Sequence, residues 1–85
     1  MSWTVEADDA YEKWLRITHP TQDADTRITL LEFVHSWSET GPPDDADFDP
    51  SRETLSCAVP GTRVEVEFVS CPYLDPPVVI VLAFR

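Results

Sequence analysis

Side chains able to do chemistry are sparse in this chain of 85 residues. The only soft metal ligands are His19, His35, Cys57 and Cys71, and no two stand at the short spacing of zinc sites. His35 follows Phe33 and Val34 in a helical pattern and reads as a partly exposed helix residue. Asp44, Asp45, Asp47 and Asp49 alternate loosely like a calcium loop. The run lacks the glycine of the sharp turn and the closing glutamate, and Pro50 interrupts it, so its plainer reading is a solvated charge run. With Gly41 and Gly61 the only two glycines, a glycine-rich phosphate loop has nothing to build it. No nucleophile motif and no Ser-His-Asp spacing is recognisable. No metal and no cofactor are therefore expected. Arg63 remains, with Arg85 and Arg52 as further positive charges. A lone arginine on an exposed sheet face ordinarily serves as a cross-strand partner, here for Glu65 or Ser56.

The elements that must position these residues are legible from periodicity. Trp3-Thr4-Val5 alternates and predicts a short strand. Asp9, followed three residues later by Glu12, has the form of a capping box for a helix. Tyr11, Trp14, Leu15 and Thr18 share one face of it, Glu12 and Arg16 make an i,i+4 pair, and His19-Pro20 ends it. A second helix starts near Asp23 or Asp25, with a core stripe of Leu30, Leu31, Val34 and Trp37 and with Phe33 on its flank. Gly41 caps it and Pro42-Pro43 forbids continuation.

An acidic loop over 42–51 comes next, with Phe48 as a candidate anchor. A hairpin follows. With Pro60-Gly61 as a two-residue turn, Val59 pairs with Thr62, Cys57 with Val64, Leu55 with Val66 and Glu53 with Phe68. Leu55, Cys57, Val64, Val66 and Phe68 then share one face, while Thr54, Ser56, Ala58, Arg63, Glu65 and Glu67 share the other. In this register Cys71 lies beyond the paired region, and Cα atoms more than about 7 Å apart cannot be bridged, so both thiols are expected reduced. Val78 to Phe84 is apolar on both faces and reads as an interior strand. Its neighbours are the preceding strand on one side and Trp3-Thr4-Val5 on the other. The expected fold is α+β, a single domain over 1–85. Two helices pack on one face of a mostly antiparallel sheet of about four strands, in the order strand, helix, helix, strand, strand, strand.

Sixteen acidic against six basic residues give a net charge of −10. That balance argues against general binding to nucleic-acid phosphates, which needs clustered Lys and Arg. It suits a solvating surface or a basic partner. Val78 to Phe84 is far short of the roughly 20 residues needed to span a bilayer, and Met1 to Thr4 opens no signal peptide. No membrane contact and a cytoplasmic location are expected.

The order of elements and several strings resemble the RelE/ParE toxin superfamily, particularly its HigB-like, phage-derived branch. The matching stretches are Trp3-Thr4-Val5-Glu6 with Tyr11-Glu12-Lys13-Trp14-Leu15, the Gly41-Pro42 helix end, the run from Pro60 to Val69, and the closing run from Val78 to Arg85. The resemblance implies ribonuclease members that bind the ribosome and cut messenger RNA using Arg, Lys, Tyr or His on the open sheet face. It implies other members that inhibit gyrase, and antitoxin segments that wrap the toxins. Arg63 matches the position where the ribonucleases often hold a phosphate-binding arginine. Arg85 falls near a second basic position after the last strand. These two are the candidate catalytic residues. Against cleavage, no Lys follows Lys13, Thr54 and Ser56 stand where basic residues would be expected, and Glu65 and Glu67 share the face with Arg63.

The expected function is that of a toxin-family or phage-encoded protein acting through protein contacts, without ribonuclease activity. It would inhibit a host process, with a host target or a cognate antitoxin as partner. The alternatives are a ribosome-dependent messenger endoribonuclease and an acidic inhibitor that mimics nucleic acid. Expected partner contacts are Trp37, Asp44, Asp45, Asp47, Phe48, Asp49 and Tyr73, because aromatic anchors carry binding energy and rim charges choose partners.

Overall fold

The computed structural model describes residues 2–18 and 24–85. Its elements run β1 (Thr4–Glu6), α1 (Asp8–Thr18), α2 (Ala24–Thr40), β2 (Asp47–Asp49), β3 (Thr54–Ala58), β4 (Glu65–Cys71) and β5 (Val78–Phe84). The sheet has five strands in the order β1-β5-β4-β3-β2. Only the β1–β5 pair is parallel. The α+β layering is as expected, and β5 has the two expected neighbours. The additional strand is β2, inside the stretch 42–51 that its aspartates mark as loop. Two of its three residues are aspartate, which is depleted in strands, so cross-strand pairing with β3 overrides local preference there.

Helix α1 begins before the capping box. The Tyr11 N–H donates to the Ala7 carbonyl at 3.0 Å, so Ala7 is the half-in residue and Asp8 and Asp9 lie in the first turn. There they complement the positive end of the helix dipole. His19, Pro20 and Asp23 lie outside the described residues. In α2, Leu30, Val34 and Trp37 are buried as the stripe requires, with Leu31 and Phe33 half-buried.

The helices cover one face of the sheet. Trp37 stands 4.9 Å from Phe68 between ring centres, and Trp14 and Tyr11 each stand 6.4 Å from Phe84. Val59, Val66, Phe68 and Val79 are fully buried beneath them. At the end of α2, the Gly41 N–H donates to the Trp37 carbonyl at 2.8 Å and the Trp3 N–H to that of Ser38 at 2.7 Å. Gly41 sits at φ +77°, and the Trp3 indole lies directly against it.

The hairpin register differs from the expected one by two residues. Leu55 pairs with Phe68, Ser56 with Glu67, Cys57 with Val66 and Ala58 with Glu65. The cause is Pro60. Two-residue hairpin turns need positive φ at their first central residue, and proline holds φ near −65°. The chain instead makes a turn with Pro60 second and Gly61 third, at φ +80°. The Thr62 N–H and hydroxyl close it on the Val59 carbonyl at 3.1 and 2.9 Å. Val59 then bonds Val64 at 2.9 Å, which leaves residues 60–63 as a four-residue loop. A shift of two preserves every residue's face, so the inward and outward sets survive while Arg63 moves out of the strand.

Because Gly41 combines positive φ with contact against Trp3, alanine there is strained twice. A methyl group would stand 2.7 Å from Trp3 Nε1 and 2.9 Å from Cε2. Gly41→Ala is expected to cost roughly 2 kcal/mol or more of stability. Urea unfolding followed by tryptophan fluorescence measures it, and an unchanged midpoint would refute the packing argument.

Candidate functional site

Residues 67, 69 and 71 of β4, with 78, 80 and 83 of β5, point away from the helices, because their neighbours 66, 68, 79, 81 and 84 are buried beneath them. On this open face the central feature is Glu67. Its side chain is only 11% exposed and its carboxylate is fully engaged. Arg85 Nη2 donates to Oε1 at 2.8 Å, Arg52 Nη1 to Oε2 at 3.2 Å, and Thr54 Oγ1 to Oε2 at 2.9 Å. A largely buried carboxylate demands such partners, since leaving it unpaired would cost several kcal/mol (order of magnitude).

Each partner is delivered by a different element. Arg85 follows β5, and its backbone exchanges two hydrogen bonds with Glu65 at 2.9 and 2.8 Å. Arg52 stands in the turn between β2 and β3, which Asp49 organises. The Asp49 carboxylate accepts from the Ser51 hydroxyl at 2.7 Å and from the Ser51 and Arg52 amides at 3.0 and 3.4 Å. These bonds, led by the Ser51 hydroxyl, hold the Asp49 carboxyl below its usual range. The turn they close is therefore favoured above the ordinary carboxylate pKa and loosens as pH falls through the lowered one. Glu53 completes the turn at φ 56°.

The structure sorts the candidate residues into three places. Arg63 and Arg85 come together, lining a depression of about 350 Å³ with Trp14, Thr26, Gly61, Thr62 and Val64. Among the described residues lining it there is no His, Lys, Tyr, Asp or Glu, hence no side chain suited to general acid–base work. A smaller cleft of about 70 Å³, shared by Asp49, Thr54, Ser56, Glu65, Val66, Glu67 and Arg85, carries three carboxylates. The acidic stretch forms the second place, with Asp44, Asp45 and Asp47 exposed and Phe48 62% exposed opposite Leu55. Tyr73 forms the third, 80% exposed in the turn between β4 and β5. Its hydroxyl donates to Cys71 Sγ at 3.5 Å, and that bond raises its pKa.

Two assignments change. Trp37 is 2% exposed and belongs to the core, because it falls on the α2 stripe directly over Phe68. Asp49 is a turn-forming residue whose carboxylate is already occupied. Spacing along the chain does not reveal the Glu67 clamp, because its arginines lie 15 and 18 residues away. The available signal was a glutamate flanked by Val66 and Phe68 in the most hydrophobic third of the chain. Both cysteines are free. Cys57 sits opposite Val66 on the helix side and Cys71 opposite Val78 on the open side, so the sheet itself separates them.

Removing both arginines should destabilise the fold more than removing either. Arg52→Ala or Arg85→Ala leaves one cation on Glu67 and should cost about 1 kcal/mol or less, given their half-exposed positions. The double variant should cost more than the sum of the two singles, by about 1 kcal/mol or more, because Glu67 is then buried with Thr54 alone. A double-mutant cycle in urea decides it, and strict additivity would disprove the shared clamp.

Cys57 offers a chemical check. Burial first, then the Asp45 and Glu65 charges, push its thiol up to about 11. Since only the thiolate alkylates, labelling by iodoacetamide at pH ~8 should run roughly tenfold or more slower in the native protein than in urea. Equal rates would contradict the burial.

No family model matches the chain, and neither the curated proteins nor the solved structures contain a match to it.

Proposed function

We propose that this chain is a RelE/ParE-like domain that acts by binding another protein and does not cut RNA. In a toxin–antitoxin or phage setting it would inhibit a host process. The observation that carries this reading is the Glu67 clamp. Two of the three arginines considered for phosphate binding, Arg52 and Arg85, already hold a carboxylate of their own chain. Asp49, Glu65 and Glu67 beside them would repel an incoming phosphate. Phe48 and Tyr73 are exposed aromatics of the type that anchors protein interfaces. No helix among the described residues is long and apolar enough to cross a membrane.

The ribonuclease reading keeps one supporting observation, the shared depression between Arg63 and Arg85. Arg63 has no hydrogen bond or ion pair to another described residue, and so could accept a phosphate.

Expression in a growth assay separates the two readings. Wild type, Arg63→Ala, and a variant with Asp44, Asp45 and Asp47 changed to Asn are compared, with Asp49 left in place to keep the turn. The expected result is growth inhibition by wild type and Arg63→Ala alike, intact messenger RNA, and no RNA retention at about 0.15 M salt. Messenger cleavage by wild type that disappears in Arg63→Ala would overturn the proposal and establish the ribonuclease.

A further inference from the structure

Strand β5 reads Val-Val-Ile-Val-Leu-Ala-Phe, apolar on both faces, as strands covered on both faces do. Only one face is covered here by the described residues. On the other, Val69 pairs with Ile80 and Cys71 with Val78, forming a contiguous half-buried apolar patch. The bulge in the β4–β5 ladder makes Leu82 an extra residue, and it is 45% exposed. Tyr73 reaches the end of the patch through its bond to Cys71.

The rim keeps an excess of carboxylates on both sides. Glu6 of β1 lies opposite Ile80, and on the far side Glu65 of β4 and Asp47 of β2 are exposed beyond Glu67, with Arg52 and Arg85 offsetting two of those three charges. A second copy of this chain would bring like charges together, −10 against −10, and an anionic membrane would be repelled in the same way. An apolar stripe flanked by cations is the complement. A flat sheet face receives such a stripe on a helix laid across it, the same layering that the covered face uses.

We infer that the open face, centred on Val69, Ile80 and Leu82 with Tyr73 at its end, receives a basic amphipathic helix of a partner protein. This inference rests on the protein-contact reading and names its surface.

The probe is a Leu/Lys peptide of about 18 residues, ~27 Å long as a helix, patterned with one apolar face. It is titrated into 15N-labelled protein. Amide shifts should cluster at residues 69–73 and 78–82. Ile80→Thr combined with Leu82→Ser should weaken binding about tenfold or more. Tyr73→Ala, at a side chain 80% exposed and outside the core, should weaken it about threefold or more. Equal binding of a scrambled Leu/Lys peptide with no apolar face would overturn the inference, as would shifts confined to residues 44–49. So would silence up to about 1 mM peptide, or peptide-independent shifts at this face that grow with protein concentration, which would mark a second copy as the occupant. Messenger cleavage by the same preparation sinks the protein-contact reading itself. A silent peptide without cleavage sinks only the surface named here.

Discussion

Phe68, fully buried in the middle of β4, meets the Trp37 ring of α2 at 4.9 Å and pairs with Leu55 on one side and Val81 on the other. It thereby joins both neighbouring strands to the helical layer. A buried phenylalanine of this kind contributes about 3–5 kcal/mol, a large share of the stability a domain this small can have. The residue before it takes the opposite direction. Glu67 emerges on the open face, where Arg52, Thr54 and Arg85 meet it. Core and ion cluster are thus two sides of one strand, and the ladder irregularity with β5 falls between these two residues.

That arrangement decides how the charge of the molecule is used. The chain is strongly acidic, with six cations against sixteen carboxylates. Two of six converge on a single carboxylate, where partial desolvation makes charge-assisted bonds stronger than at an exposed pair. Around the open face the Glu6, Asp47 and Glu65 side chains stay exposed to water. A surface of that kind repels phosphates and attracts cations.

Much of the fold could be read from residue patterns. Leu30, Val34 and Trp37 fall on one helical stripe and are buried together. Gly41 ends α2 where a glycine followed by two prolines must. The inward set of the hairpin, Leu55, Cys57, Val64, Val66 and Phe68, is inward in the structure. Local rules suffice at these positions because each depends on a period or a backbone preference carried by the residues themselves. Pro60 carried an equally local signal against a two-residue turn, and it corrects the register by two residues.

What the sequence by itself determined was which side of the expected helices and strands is apolar, where α2 stops, and the surplus of negative charge. Tertiary structure alone decided that Asp47–Asp49 is a strand, because its pairing partner β3 supplies hydrogen bonds that aspartate-rich sequence does not predict. It alone brought Arg52 and Arg85 to Glu67, and Arg63 beside Arg85, across turns whose geometry sets distance in space independently of distance along the chain. It also left one face of β5 uncovered by described residues. Periodicity records that a strand is apolar on both sides, whereas what covers each side depends on where two helices can reach.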